Sequence, residues 1–67
     1  MMVSLMNELS GNAGRFARYC VEQCSIADLV ASARGGVNYD TCCQWGITGE
    51  QWQDAIFAAL EELRHRY

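Results

Sequence analysis

The sequence predicts an all-α protein, a compact bundle of four to five short helices that ends in a long amphipathic C-terminal helix. Apolar residues recur at three- and four-residue steps in several segments, and capping residues stand where those segments begin. The 67 residues contain no proline. No strand is needed to place the apolar side chains, and a chain of this length forms one domain, so residues 1–67 are expected to fold as a single unit.

The C-terminal helix is the clearest element and is predicted to run from residue 48 to about residue 66. Thr48 is suited to cap it, and Gln51 three residues later completes a capping box. Gly46 is suited to the left-handed position that ends a short preceding helix. The apolar residues of the segment fall on one stripe that should face the core: Trp52, Ala55, Ile56, Ala59, Leu60, Leu63 and Tyr67.

Shorter helices are predicted before it. Residues 2–9 have the apolar spacing of a short amphipathic helix, and Asn12 is a candidate cap for a second one. A single helix over residues 13–34 would put its two apolar halves roughly 150° apart, so a break is expected. Ser25, with Asp28 three residues later, is the candidate cap at that break.

The middle of the chain is predicted to hold a loop and one short helix. Gly35 and Gly36 should end the third helix, and the loop over residues 35–38 is the most flexible stretch on composition. Asp40 is predicted to cap a short helix over residues 41–45, which Gly46 stops.

Charge is distributed unevenly along the chain. The net charge is −3, yet residues 1–34 are neutral, whereas residues 35–63 carry five acids without Lys or Arg, a local net charge of −5. The chain contains no lysine. Because nucleic-acid binding draws most of its affinity from Lys and Arg on phosphates, direct nucleic-acid binding is disfavoured and a protein partner with a basic surface is favoured.

One aromatic residue of the C-terminal helix falls off the predicted core stripe. At about 100° per residue, Phe57 lies roughly 140° from Trp52, among carboxylates. Either a neighbouring helix or a second copy covers it, or it is an exposed aromatic anchor of the kind that becomes a binding hot spot. The candidate partner-binding residues are Asp40, Glu50, Asp54, Phe57 and Glu61.

Catalytic and metal chemistry has little support. Cys20 and Cys24 form a CxxxC pair and Cys42 and Cys43 are adjacent, unlike the CxxC pairs of a zinc ribbon. Buried unreactive thiols are expected, with a metal site or a redox role as alternatives. The single histidine, His65, has no nucleophile at motif spacing, so no enzyme, catalytic residue, metal or cofactor is predicted.

The N-terminus has no basic residue before Arg15 and lacks the pattern of a secretory signal. No segment approaches the roughly 20 apolar residues of a membrane span. A cytoplasmic location without membrane contact is therefore expected.

Residues 45–52, Trp-Gly-Ile-Thr-Gly-Glu-Gln-Trp, together with the alanine-rich helix after them, resemble segments of small orphan proteins carried by phages and integrative elements. Some of those proteins, anti-CRISPR proteins among them, block bacterial defence systems. The resemblance implies a stoichiometric inhibitor in the host cytoplasm that binds a defence complex and presents carboxylates where nucleic acid would lie. The resemblance does not indicate which residues of this chain would form the binding site.

The leading hypothesis is a small acidic binding protein that inhibits a nucleic-acid-handling defence complex, such as a CRISPR effector, by occupying a basic protein surface. One alternative is a homodimerising helical module that buries Phe57 against a second copy. Another is a helix-turn-helix DNA-binding protein whose recognition helix begins at Gly49, although Glu50 and Asp54 would then face phosphates.

Overall fold

The structure, a computed structural model, describes residue 9 and residues 11–66, and all regular secondary structure in this part of the chain is helical. The four helices are α1 (Gly11–Gln23), α2 (Ile26–Gly35), α3 (Tyr39–Trp45) and α4 (Gly49–Arg66). The all-α prediction and the long C-terminal helix are confirmed. The predicted helix over residues 2–9 and the predicted core residue Tyr67 fall outside the described residues.

Helix α4 is the element against which the others pack, with its most extensive contacts to α1 and then to α2. Its buried residues include Trp52 and Ile56, each 3% exposed, and the two neighbouring helices contribute Phe16 and Leu29 to the same core. The predicted stripe is therefore the inner face of α4. Ala58 is also buried, which the stripe did not include, although it does not belong to the core cluster.

The break between α1 and α2 lies where the change of apolar phase predicted it. The Ser25 hydroxyl accepts a hydrogen bond from the Asp28 N–H at 3.1 Å, and the Asp28 carboxylate accepts one from the Ser25 N–H at 3.3 Å. This capping box starts α2 and satisfies two backbone donors. Gly36, with a φ of 86°, follows the last residue of α2, as expected.

Two predicted caps are wrong. Asn38, not Asp40, caps α3: the Asn38 side-chain oxygen accepts a hydrogen bond from the Thr41 N–H at 3.2 Å, and Asp40 lies exposed in the first turn. Asn and Asp cap helices about equally well, so residue type could not separate them. Asn12 lies inside α1, where its amide nitrogen sits 3.2 Å from the position of a β-carbon added at Gly46.

The end of α3 follows the pattern expected for a left-handed glycine. Gly46 has φ 65° and ψ 40°, and its N–H donates to the Cys43 carbonyl at 3.4 Å. The Ile47 N–H donates to the Cys42 carbonyl at 3.0 Å, which completes a Schellman motif. The side chain of Ile47 is buried, so this turn is tied to the core.

The start of α4 is fixed by the predicted capping box. The Thr48 hydroxyl accepts a hydrogen bond from the Gln51 N–H at 3.0 Å, and the Gln51 side chain accepts one from the Thr48 N–H at 2.9 Å. Three residues thus separate α3 from α4. This short turn fixes where α4 begins, and with it which of its residues face the core.

Candidate protein-binding surface

The side of α4 opposite its core stripe carries four of the five residues expected to bind a partner. Glu50, Asp54, Phe57 and Glu61 are three or four residues apart, so their side chains share one helix face. We call these four residues the outer face. Glu50, Asp54 and Phe57 are exposed, and Glu61 is partly exposed.

Phe57 is half exposed, at 50%, although the next residue, Ala58, is only 1% exposed. The boundary between core and surface therefore falls between two adjacent residues. The expectation that a neighbouring helix covers Phe57 is wrong for the described helices. The alternative that a second copy covers it is an intermolecular question and stays a prediction.

The outer face is negative, and its two N-terminal acids have no cation nearby. Among the described residues, no hydrogen bond or ion pair engages the side chain of Glu50 or Asp54. The Glu61 carboxylate lies 4.0 Å from His65 Nε2, and the Glu62 carboxylate lies 3.6 Å from the Arg66 guanidinium. The basic residues of α4 thus lie in its last turn. The first half of the outer face, on the N-terminal side of Phe57, therefore carries unpaired negative charge.

Asp40, the fifth expected residue, lies on α3 and lines a different surface. It borders a groove of about 600 Å³ between α1, α2, the loop after α2 and the start of α3. The α4 residues in this groove are Trp52 and Ile56, and no outer-face residue lines it. The structure therefore brings four candidates together and places Asp40 with other neighbours.

Two exposed tyrosines in this groove were not among the expected binding residues. Tyr19 is 46% exposed and its ring lies against Trp45, with the ring centroids 5.4 Å apart. Tyr39 is 68% exposed and directly precedes Asp40. The adjacency of Tyr39 and Asp40 in the sequence was a signal that could have drawn attention to Tyr39.

All four cysteines are free thiols, and their environments differ. Cys20 and Cys42 are buried as expected, Cys24 is half buried, and Cys43 is exposed, contrary to the expectation of buried thiols. Burial, reinforced by the neighbouring Cys24 thiol, raises the pKa of Cys20 to about 12, so this thiol stays protonated and unreactive at neutral pH. Across residues 11–66, His, Cys, Asp and Glu form no group of three or more that could hold a metal ion.

Comparison with known proteins gave no match to this chain among protein families, curated proteins or solved structures. None of the described helices has both the length and the apolar character required to span a bilayer. The candidate surface is therefore interpreted from its own geometry and charge.

Proposed function

We propose that this chain is a binding protein rather than an enzyme, and that its outer face occupies a basic surface on a protein partner. The observation that carries the proposal is Phe57, half exposed on the same helix face as the unpaired carboxylates of Asp54, one turn earlier, and Glu50, two turns earlier. The core leaves this large apolar side chain partly in water, so the fold itself gives no reason for an aromatic residue at this position.

Such an arrangement suits recognition in two ways. An aromatic side chain at the centre of a contact supplies most of the binding free energy when water is excluded around it. Carboxylates around it attract a positive surface and speed association. Proteins that bind nucleic acid carry such positive surfaces, so a partner of this class fits the outer face.

We further propose that the partner is a nucleic-acid-handling complex of bacterial defence, such as a CRISPR effector subunit, and that binding in the bacterial cytoplasm inhibits it. The resemblance of residues 45–52 to small phage and mobile-element proteins supports this choice. The acidic outer face would then lie where the effector binds its nucleic acid.

Affinity capture tests the proposal. The tagged protein is incubated with a bacterial lysate containing CRISPR effector complexes, and the retained proteins are identified by mass spectrometry. The variants are Phe57→Ala and Glu50→Lys, and the matched control is Glu22→Lys, which reverses another exposed carboxylate, on α1. We expect the wild type and the control to retain an effector subunit and both outer-face variants to lose it, because loss of a hot spot costs about 2 kcal/mol or more.

Retention of the same subunit by a triple Glu50→Lys, Asp54→Lys, Glu61→Lys variant with an unchanged circular dichroism spectrum would falsify the outer-face assignment. Capture of no effector subunit by the wild type would overturn the choice of partner class.

A second copy of the chain is the alternative partner, and the exposure of Phe57 also favours it. A small domain often gains stability by burying such a residue in a dimer. Sedimentation equilibrium separates the two functions. A monomer at all concentrations excludes the dimer, whereas a dimer that Phe57→Ala dissociates supports it.

The turn at Gly46 also gives α3 and α4 the order of elements found in a helix-turn-helix. DNA binding through α4 would place Glu50 and Asp54 against phosphates, where they repel. A titration with duplex DNA at low salt tests this function, and we expect no salt-dependent binding.

A further inference from the structure

The groove bordered by Asp40 is a second surface, on the opposite side of α4 from the outer face. Its floor includes Trp52 and Ile56, which lie roughly 40° apart on the helix. Phe57 and the acids of the outer face lie roughly 140° to 200° from Trp52. A partner held on the outer face therefore leaves the groove open to another contact.

The groove combines aromatic rings with one charge. Tyr19 and Tyr39 are its exposed aromatic residues, and among the described residues that line it only Asp40 is charged. Within the described part of the chain, the Asp40 carboxylate takes part in no hydrogen bond or ion pair. The groove thus presents an unpaired negative charge beside aromatic faces and an apolar floor.

Both tyrosine rings are held in place by contacts outside the groove. Tyr19 lies against Trp45, and Tyr39 lies over the first residue of α4, where a β-carbon on Gly49 would meet Tyr39 Cε1 at 3.2 Å. The glycine at position 49 therefore admits the Tyr39 ring. The contact with Trp45 restricts the Tyr19 ring before any partner arrives, which lowers the entropic cost of binding.

We propose that this groove is a docking site for an arginine-bearing segment of a protein partner. A guanidinium group can pair with the Asp40 carboxylate and stack on the Tyr39 ring at the same time, which a lysine ammonium does less well. The apolar residue next to the arginine lies against the half-buried Val37 side chain, which lines the groove. A nucleic acid is excluded as the occupant because the lining offers its phosphates a carboxylate and no basic side chain.

The site is defined by its own charge and shape and does not depend on the function proposed for the outer face. Its test therefore uses a simple probe rather than the unidentified partner. The probe is Nα-acetyl-leucyl-arginine amide, and the reference compounds are the same dipeptide with citrulline or lysine in place of arginine. Citrulline keeps the planar shape of arginine and removes its charge.

Each dipeptide is titrated into the full chain labelled with ¹⁵N, and the amide chemical shifts are followed. We expect the arginine peptide to shift the amides of Gly36, Tyr39 and Asp40, and to bind about fivefold more tightly than the citrulline peptide, because an exposed ion pair and a cation–π contact are each modest. Asp40→Asn should abolish that preference, and Tyr39→Leu should weaken the arginine peptide.

The matched control is Glu22→Gln, which removes one exposed carboxylate that does not line the groove and should leave the titration unchanged. Equal affinity for the arginine and citrulline peptides would show that Asp40 does not select a charge, and would overturn the proposal. Shifts confined to the outer face, or no shifts at millimolar peptide, would overturn it as well. Because Asp40 and Tyr39 are exposed, both variants are expected to keep the wild-type circular dichroism spectrum.

Discussion

The two faces of α4 carry large aromatic residues in opposite environments. Trp52 on the inner face is 3% exposed, whereas Phe57 on the outer face, little more than one turn later, is 50% exposed. The difference follows from helix rotation, because five residues turn the side chain roughly 140° from the core. The inner aromatic is explained by the fold, and the outer one needs another explanation.

Charge separates the two faces in the same way. No polar or charged residue is buried in the described part of the chain, so the inner side of the molecule consists of apolar side chains and cysteines. The carboxylates of Glu50, Asp54 and Glu61 stand on the outer face, where water solvates them at little cost. A substitution on the inner face should therefore change stability, and one on the outer face should change binding.

The largest expected effect comes from removing the inner aromatic. Trp52→Ala should cost about 3–5 kcal/mol, because it leaves a cavity where α4 meets the rest of the core. A domain of this size has about that much stability in total, so we expect the variant to be unfolded in water. Phe57→Ala is the matched control on the same helix, and urea denaturation should show a loss below about 1 kcal/mol. Similar losses for both variants would mean that the two faces are not distinct.

The next test uses the protonation of the buried Cys20 thiol, which differs between the folded and the unfolded chain at high pH. The pKa of this thiol is raised from 9.0 to about 12 in the folded protein. Above pH 9 the unfolded chain releases this proton while the folded chain keeps it, so the free energy of unfolding should fall by up to about 1.4 kcal/mol per pH unit until about pH 12. Below pH 9 this contribution is constant.

Urea denaturation from about pH 8 to about pH 11 measures the slope, with Cys20→Ala and Cys43→Ala as comparisons. Cys20→Ala should make the free energy of unfolding fall less steeply with pH. Removal of the exposed Cys43 thiol should leave the fall as steep as in the wild type. The opposite result would show that Cys20 is not the thiol protected by the core.

A substitution in the turn before α4 should reduce the free energy of unfolding less than Trp52→Ala does. Gly46→Ala forces a β-carbon into the left-handed region at φ 65° and brings it 3.2 Å from the Asn12 amide nitrogen, so we expect a loss of about 1–2 kcal/mol. Gly35→Ala is the control, because a β-carbon there meets nothing within 4 Å, and it should be neutral or stabilising. A neutral Gly46→Ala, measured by thermal denaturation, would contradict the requirement for a left-handed residue.

The smallest expected effect is on the outer face. Reversing Glu50, Asp54 and Glu61 to Lys should change the free energy of unfolding by no more than about 1 kcal/mol in total. Most of that change would come from Glu50, which lies near the positive end of the helix dipole. A larger loss in urea denaturation would mean that the acids stabilise the fold, and it would remove the argument that they are kept for binding.

Several features of the fold could be predicted because they depend on residues three to five apart. The Ser25–Asp28 and Thr48–Gln51 capping boxes, the left-handed Gly46 and the inner stripe of α4 are of this kind. Local hydrogen bonds and helix rotation decide them, and both can be read from spacing. The position of Phe57 off the stripe followed from the same rotation.

Other features depend on which helices meet, and spacing alone does not contain that information. Asn38 and Asp40 are equally good caps, and the observed structure begins α3 next to Asn38, with the Tyr39 ring over Gly49. The burial of Ala58, which lies off the predicted stripe, did not follow from helix rotation. The groove that separates Asp40 from the outer face exists only once α1, α2 and α3 are in place.

The sequence by itself therefore determined the helices, most of their caps and the acidic outer face that Phe57 occupies. Tertiary structure decided which exposed residues are neighbours, and it placed Asp40 with Tyr19 and Tyr39 in the groove. The physical reason is the separation in sequence of the residues involved. Helix rotation and caps depend on residues within one or two turns of each other. A groove is made by segments that are distant in the chain and are brought together by burial of a shared core.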